Sequence, residues 1–509
     1  MIALTWNQDD LSRCSLMLLA LICGAAMPFA FAPYHHIWLG ILGLSGLIWL
    51  IQSKHSFLIG YSFGFGWFGF GAWWLTPTVH DYGGLSWFSG GMIVVVMGLI
   101  MGLFPALWTW GCMKIARYNG KSYALLLILP TSIMAIEWLR GHLFTGLPWT
   151  SMGNLVLDTP ASAWLSIFGV YGMAFLPVLL AASLAFLYQK KQRKLAAIGL
   201  LLCALFVLLT PQLPQPNGSE SRVALIQPNI PQDQRWDAAF LQQSMQRLIE
   251  LSKNHAADVD LIIWPEAAIP FYLERNPQWD QWLREQIQAW RTPLLFGGLK
   301  LFPKTGETQN GLYLVKSQNI SDISSDSLSG EPFAGKHHLV PFGEYVPAWL
   351  PWLKTAVPNI AELQRATDNG VLVGQSAQFG SLICYESLFP EEARQRVRSG
   401  ADVLILVTND AWYGHSPAAW QHFQASRVRA VEMGRYVLRA ANTGVSAIID
   451  PSGKVISTAP WWTTTAVIGT YRTSNITTMY QQWGNSPAFL CFVILLAWLL
   501  LFRKRGSQI

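Results

Sequence analysis

About eight apolar stretches, each near the roughly 20 residues that a helix needs to cross a bilayer, constrain this chain more than any other feature. They lie near 13–32, 37–52, 56–76, 89–113, 122–139, 163–188, 195–210 and 486–502. Hydrocarbon offers no partner to a backbone N–H or C=O, so segments of this kind span as helices. The 509-residue chain is 52% hydrophobic and only 13% charged, against about 25% charged in an average soluble chain. The first stretch also has the length of a secretory leader, but no small-residue cleavage site follows Pro33 and further spans come at short intervals. It is therefore read as a spanning helix.

Lys and Arg are retained on the cytoplasmic side of short loops. Here they follow the second, fourth and sixth stretches, as Lys54, then Lys114, Arg117 and Lys121, then Lys190, Lys191, Arg193 and Lys194, and Arg503, Lys504 and Arg505 close the tail. The alternate loops hold almost none, with Arg140 at the edge of one as the exception. Both termini are predicted in the cytoplasm and the region between the seventh and eighth spans outside it. The net charge of +6 is accounted for by these flanks, and no basic stripe of the kind that binds nucleic acid is present.

PQLPQPNGSES at 211–221 has the composition of a linker. The predicted organisation is a membrane domain at 1–210, the linker, a soluble domain at 222–475, a last span at 486–502 and a tail at 503–509. Within the soluble domain, short apolar runs at 223–227, 261–264, 294–298, 312–315, 379–383, 403–407 and 446–449 read as buried strands. Helical patterns at 238–254, 279–289, 391–399 and 418–435 separate several of them, which predicts a layered α/β domain. The Ser- and Asp-rich stretch 317–330 reads as a surface insertion.

Five of the six cysteines, Cys14, Cys23, Cys112, Cys203 and Cys491, fall in or beside the apolar stretches, where a thiol acts as a small apolar group. Cys384 stands alone in the soluble domain. A lone thiol facing an oxidising compartment is either buried and inert or kept for its reactivity, and by count alone the inert reading is the simpler one. Its position argues otherwise. Cys384 directly follows a predicted strand, and open α/β sheets place ligands at the carboxyl ends of strands. Glu266 follows another strand in the same way, and Lys336 lies between them in PFAGKHHLVPFGEYVP. Taken singly, each has an ordinary structural explanation as a helix cap, a solvated lysine or a core thiol.

Together, WPE at Glu266, K-x-H at Lys336 and CYE at Cys384 resemble the carbon–nitrogen hydrolase, or nitrilase, superfamily. HLVPFGEYVP at 338–347, TNDAWYG at 408–414, QH at 421–422, RAVEMGRYVLRAANTGVS at 429–446 and EWLRGHLFTGLPW at 137–149 resemble the apolipoprotein N-acyltransferase family within it. The likeness covers nearly the whole chain. The extra His337 beside His338 departs from the pattern without touching a catalytic position. The resemblance implies a polytopic α-helical membrane domain carrying an extracytoplasmic αββα sandwich, in the inner membrane of a Gram-negative bacterium.

A thiol with an ordinary pKa of about 8.5 is mostly protonated at neutral pH and needs a base or a cation beside it. Glu266 is expected to take the proton of Cys384, the sulfur to attack an ester carbonyl, and Lys336 with a nearby backbone N–H to hold the oxyanion. An amine then discharges the thioester in a ping-pong cycle. The resemblance implies the partners: a glycerophospholipid such as phosphatidylethanolamine gives its sn-1 chain, and the S-diacylglyceryl N-terminal Cys of an apolipoprotein receives it, as the last step of lipoprotein maturation. Glu344 and Glu386 are expected to orient Lys336 and the nucleophile, and Tyr385 to sit beside the thiol. Trp236, His338, Trp349 and Trp412 are expected at the substrate, with 346–357 as an apolar lid. Glu137 and Arg140, one helical turn apart, are expected to pair. No metal-ligand spacing and no phosphate loop stand out, so neither metal nor cofactor is expected, and the working expectation is a monomer. A membrane-tethered amidase would use the same three residues with water as acceptor. A transporter with an accessory domain, or a scaffold indifferent to Cys384, are the readings outside acyl transfer.

Overall fold

The structure is a computed structural model and describes residues 11–119, 122–213, 215–316, 327–348, 350–351 and 361–501. Trp349, positions 352–357 of the expected lid and most of the 317–330 insertion lie outside the described residues. The chain divides into two compact units, Met1–Gln212 with Trp483–Ile509, and Leu213–Gln482.

The first unit is helical: α1 (Arg13–Ala25), α2 (Ile37–Leu50), α3 (Ser56–Gly71), α4 (Leu75–Asp81), α5 (Trp87–Met101), α6 (Leu103–Asn119), α7 (Ser122–His142), α8 (Leu165–Met173), α9 (Phe175–Leu187) and α10 (Arg193–Leu208). Among the described residues, three helical runs are long and apolar enough to cross a membrane: Arg13–Ala30, Trp87–Tyr118 and Ala124–His142. Ser162–Met173 with Phe175–Leu187 makes a fourth if the pair, bent by 70°, is one span. Two of the about eight expected spans depart for clear local reasons. Gly169, at φ 65° and ψ 178°, interrupts the expected 163–188 helix. The 14 residues of α2 rise only about 21 Å, against a hydrocarbon core of about 30 Å.

On α7, Arg140 Nη2 lies 2.8 Å from Glu137 Oε2, both side chains at most 2% exposed. Arg140 Nη1 also donates to the carbonyls of Leu147 (2.6 Å) and Trp149 (2.8 Å), and Glu137 accepts from Met152 N at 3.2 Å. The pair thus ties the end of α7 to the chain that follows it.

The second unit stacks two six-stranded sheets. Its strands are β1 (Glu220–Gln227), β2 (Leu261–Ile263), β3 (Leu294–Leu301), β4 (Thr308–Val315), β5 (Phe333–Gly335), β6 (Val371–Val373), β7 (Gln378–Ile383), β8 (Val403–Thr408), β9 (Val437–Ala441), β10 (Ala447–Ile449), β11 (Val455–Thr458) and β12 (Thr465–Arg472). One sheet has the order β12-β1-β2-β3-β4-β5 and the other β11-β10-β9-β8-β7-β6. β1–β2–β3 and β7–β8–β9 are parallel, and the flanking pairs are antiparallel.

Alternation explains the layers, because successive side chains of a strand face opposite sides. On β8, Val403, Ile405 and Val407 face the other sheet with Val223, Leu225, Ile263 and Leu295, while Leu404 and Leu406 meet Ala393, Val397, Phe423 and Ala430 of the covering helices. Those helices are α13 (Pro390–Arg398) and α14 (Ala418–Met433); α11 (Ala238–Lys253) and α12 (Pro277–Trp290) cover the first sheet. Burial on both faces is why VLILVT is a continuous apolar run rather than an alternating one. A short α15 (Met479–Trp483) and the apolar α16 (Ser486–Leu501) follow.

Candidate active site

Three strand ends build the site. Beyond β2 the chain turns through Ala267, at φ 41°, and leaves the Glu266 side chain 10% exposed. A Cβ on Gly297 of β3 would strike the Glu266 Cα and the Pro265 carbonyl, so only glycine lets that strand pass. The Glu266 carboxylate faces three donors: Oε1 accepts from Asn310 Nδ2 at 2.8 Å and Oε2 from Asn409 N at 3.0 Å, while Lys336 Nζ lies 3.5 Å from Oε1.

Lys336 follows β5, where its backbone N–H donates to the Asn310 carbonyl at 2.8 Å. Its side chain is 1% exposed and its Nζ donates to Glu344 Oε1 at 2.7 Å. Glu344 is held in turn by Val340 N, which donates to Oε2 at 2.8 Å. Burial acts to lower the Lys336 pKa, but Glu344, then Glu266, then Cys384 outweigh it and keep the ammonium protonated well above the usual lysine range.

Cys384 ends β7 and opens the turn Cys384–Leu388 in the left-handed region, at φ 51°. That conformation costs a non-glycine residue about 1–2 kcal/mol and persists only where the surroundings impose it. Burial and then the Glu266 carboxylate push the thiol well up, against the pull of Lys336. In these surroundings the Cys384 side chain favours its protonated thiol form. The Thr408 hydroxyl lies beside it.

Glu386 fastens the two halves through the backbone. Its Oε2 accepts from Ile383 N at 2.7 Å, and its Oε1 from His337 N at 2.6 Å and His338 N at 3.1 Å. One fully buried carboxylate thus ties the segment carrying Lys336 to the turn carrying Cys384, with Arg396 Nη2 at 3.3 Å as its counter-ion.

The structure brings Glu266, Lys336, Glu344 and Cys384 to one place. Tyr385 and His338 pack beside the turn: the His338 ring stacks on Phe389 at 3.6 Å and meets Tyr385 edge-on at 5.7 Å. Trp236 and Trp412 stand at the surface, 52% and 41% exposed.

Sequence reasoning missed Arg235. Its Nη2 donates to the Glu266 carbonyl and, at 2.6 Å, to that of Ala267. Burial lowers its pKa to about 10, with Glu266 and Cys384 pulling the other way. The available signal was a cation next to Trp236 in QDQRWD. Asp410 and Arg439, charged residues inside long motifs, and His422, in the short motif QH, were also passed over. Among the described residues, no group of His, Cys, Asp and Glu is arranged to hold a metal ion. A thiol, a carboxylate base and a buried ammonium suit acyl transfer through a tetrahedral oxyanion.

The family model for carbon-nitrogen hydrolases matches residues 222–481, and that for the apolipoprotein N-acyltransferase N-terminal domain matches residues 23–184. The chain is 35% identical over 490 residues to the apolipoprotein N-acyltransferase of Methylococcus capsulatus, covering 93% of this chain and 94% of that one. It is 32% identical over 510 residues to that of Shewanella oneidensis, covering 97% and 96%. Among solved structures, Saccharomyces cerevisiae Nit3, a member of branch 10 of the nitrilase superfamily, is similar with a TM-score of 0.37 and 19% identity, over 50% of this chain and 91% of that one.

Proposed function

Because this chain belongs to the apolipoprotein N-acyltransferase family, and so is an acyltransferase carrying a carbon–nitrogen hydrolase domain, we propose that it moves the sn-1 acyl chain of a glycerophospholipid, with phosphatidylethanolamine as the first candidate, onto the α-amine of a diacylglyceryl apolipoprotein through a thioester on Cys384. Glu266 takes the thiol proton as the sulfur bonds to the ester carbon, and the carbonyl π electrons move onto oxygen. Lys336 Nζ and a backbone N–H hold that oxyanion. On collapse the C–O bond breaks, the lysophospholipid oxygen takes the proton from Glu266, and the thioester remains. In the second half the amine nitrogen bonds to the thioester carbon and gives its proton to Glu266. The C–S bond then breaks, an amide forms, and the proton returns to sulfur. The reaction would be the last step of lipoprotein maturation.

One arrangement carries this reading: an ammonium held between Glu344 at 2.7 Å and Glu266 at 3.5 Å, next to a thiol that burial keeps protonated. Both substrates are membrane lipids, which accounts for an N-terminal unit rich in apolar helices. The Lys and Arg pattern favours eight passes with the catalytic unit in the periplasm, and a monomer suffices for the chemistry.

The test incubates full-length protein with alkyne-tagged phosphatidylethanolamine and no acceptor, beside Cys384→Ser. A hydroxylamine-sensitive tag on the Cys384 peptide, discharged by a diacylglyceryl lipopeptide, is expected in the wild type alone. A thioester that drains to free acid while the lipopeptide stays unmodified would favour an amidase. A folded protein that never carries the tag would remove the thioester.

A further inference from the structure

Behind Cys384 lies a second buried network that the chemistry above leaves unused. His422, on α14, places Nε2 2.9 Å from the Cys384 carbonyl oxygen and 2.7 Å from Ser387 Oγ, and Ser387 Oγ itself donates to the same carbonyl at 3.0 Å. On the far side of the imidazole, Nδ1 lies 3.0 Å from Asp410 Oδ1 and 3.3 Å from Arg439 Nη2. Arg439, on β9, donates to Asp410 Oδ2 at 2.5 Å, and Thr408 Oγ1 donates to Asp410 Oδ1 at 2.8 Å. Ser387, His422, Asp410 and Arg439 are each at most 1% exposed. Burial would raise the Asp410 pKa, but Arg439 and then His422 overcome it and hold the carboxyl down at about 2.

Two side chains, His422 and Ser387, thus meet one carbonyl oxygen, with Asp410 and Arg439 behind the imidazole, and it is the carbonyl of the residue at which the chain leaves strand geometry for φ 51°. A trans peptide is planar, with its C=O and N–H pointing opposite ways. Fixing the Cys384 carbonyl against His422 therefore aims the next N–H, that of Tyr385, away from His422. A fixed backbone donor beside the nucleophile is what a developing oxyanion requires.

We propose that His422, oriented by Asp410 and Arg439, is a positioning residue for acyl transfer, pinning the Cys384–Tyr385 peptide so that its N–H is aimed at the oxyanion. This rests on the thioester reading above. It also explains Gly444, where a Cβ would run into the Asp410 carboxylate.

Full-length protein in proteoliposomes tests it with three readouts: single-turnover thioester formation from alkyne-tagged phosphatidylethanolamine, KM for that lipid, and the rate at which iodoacetamide alkylates Cys384. His422→Ala is expected to slow thioester formation roughly 100-fold, the scale of one lost oxyanion donor. KM and alkylation should stay within about twofold, because an interaction made only in the transition state leaves binding alone. His422→Gln, which keeps a donor, should recover about tenfold of that loss. A wild-type thioester rate in His422→Ala overturns the proposal. So do slower thioester formation, slower alkylation and a raised KM together without rescue by Gln, which would make His422 only a scaffold. If His422→Ala does not fold, Gly444→Ala, whose new Cβ meets the Asp410 carboxylate first, is judged by the same criteria. A wild type that forms no thioester removes the acyl-enzyme reading and this inference with it, a result distinct from an active wild type matched by its variant.

Discussion

Replacing Glu266 by Gln should change two reactions of Cys384 in opposite directions. The carboxylate faces three donors: Asn310 Nδ2 at 2.8 Å and Lys336 Nζ at 3.5 Å on one oxygen, Asn409 N at 3.0 Å on the other. An amide accepts on one side only, so its NH2 must confront either Asn409 N–H or the Asn310 and Lys336 pair. One buried donor loses its acceptor, at about 1–3 kcal/mol. Lys336 also loses an attraction that is about 5 kcal/mol at 3.5 Å for an effective dielectric of 20, while Glu344 at 2.7 Å keeps it charged. Thioester formation, deprived of its base, should fall roughly 10²–10⁴-fold. Alkylation of Cys384 by iodoacetamide should instead rise by about three- to tenfold at pH 8, because Glu266 pushes the thiol up and each unit of pKa regained multiplies the thiolate tenfold. Both rates come from one sample, by peptide mass spectrometry on the Cys384 peptide. Thioester formation within fivefold of wild type would refute the assignment of Glu266 as base, and alkylation that slows in parallel would refute the claim that its charge holds the thiol up.

Lys336→Met should abolish thioester formation and lower the melting temperature, since it strands Glu266 and Glu344 around a site where the lysine is 1% exposed; breaking a buried ion pair from one side costs about 3–5 kcal/mol. Glu386→Gln should destabilise by about 1–3 kcal/mol, because the amide nitrogen cannot accept from all of Ile383 N, His337 N and His338 N. Its kcat should fall more than its KM, read in the same kinetic assay. Asp410, with its carboxyl held at about 2 against about 3.9 unfolded, contributes about 2–3 kcal/mol. That stability is fully present above about pH 4 and is lost as pH falls through 2, so melting curves of Asp410→Asn should show a flatter acid limb than wild type. In the helical unit, Arg140→Leu leaves Glu137 buried without its partner, and should lower the detergent-solubilised melting temperature more than Glu137→Gln with Arg140→Leu combined.

Which residues approach the thiol was only partly legible in the sequence. Glu266, Lys336 and Cys384 could be found because each follows or adjoins an apolar run and stands in a short motif of its own. Glu344 was legible as an acid in the same loop as Lys336. Arg235 was not, because a single arginine in a loop carries no periodicity, and its role appears only when the guanidinium meets the carbonyls of Glu266 and Ala267. Asn310 was missed because the expected strand began at 312, whereas β4 starts at Thr308. β9 and β12 went unread for a similar reason: their inward residues alternate with Arg439 and with Thr and Gly, so neither presents the continuous apolar run that marked β8.

Hydrophobicity is a property of single residues summed along the chain, so the sequence by itself determined that one region is an apolar helical unit, that a layered α/β domain interrupts it along the sequence, and that Cys384 differs from the other five cysteines. Conformation and proximity depend on contacts between residues far apart in the chain, and those were decided by the tertiary structure. Folding sets Lys336 between Glu344 and Glu266, puts Cys384 in a left-handed turn, and carries His422 from α14 across 38 positions to its carbonyl. It also breaks the expected 163–188 helix at Gly169, because hydropathy counts apolar side chains and is blind to the φ that a glycine permits.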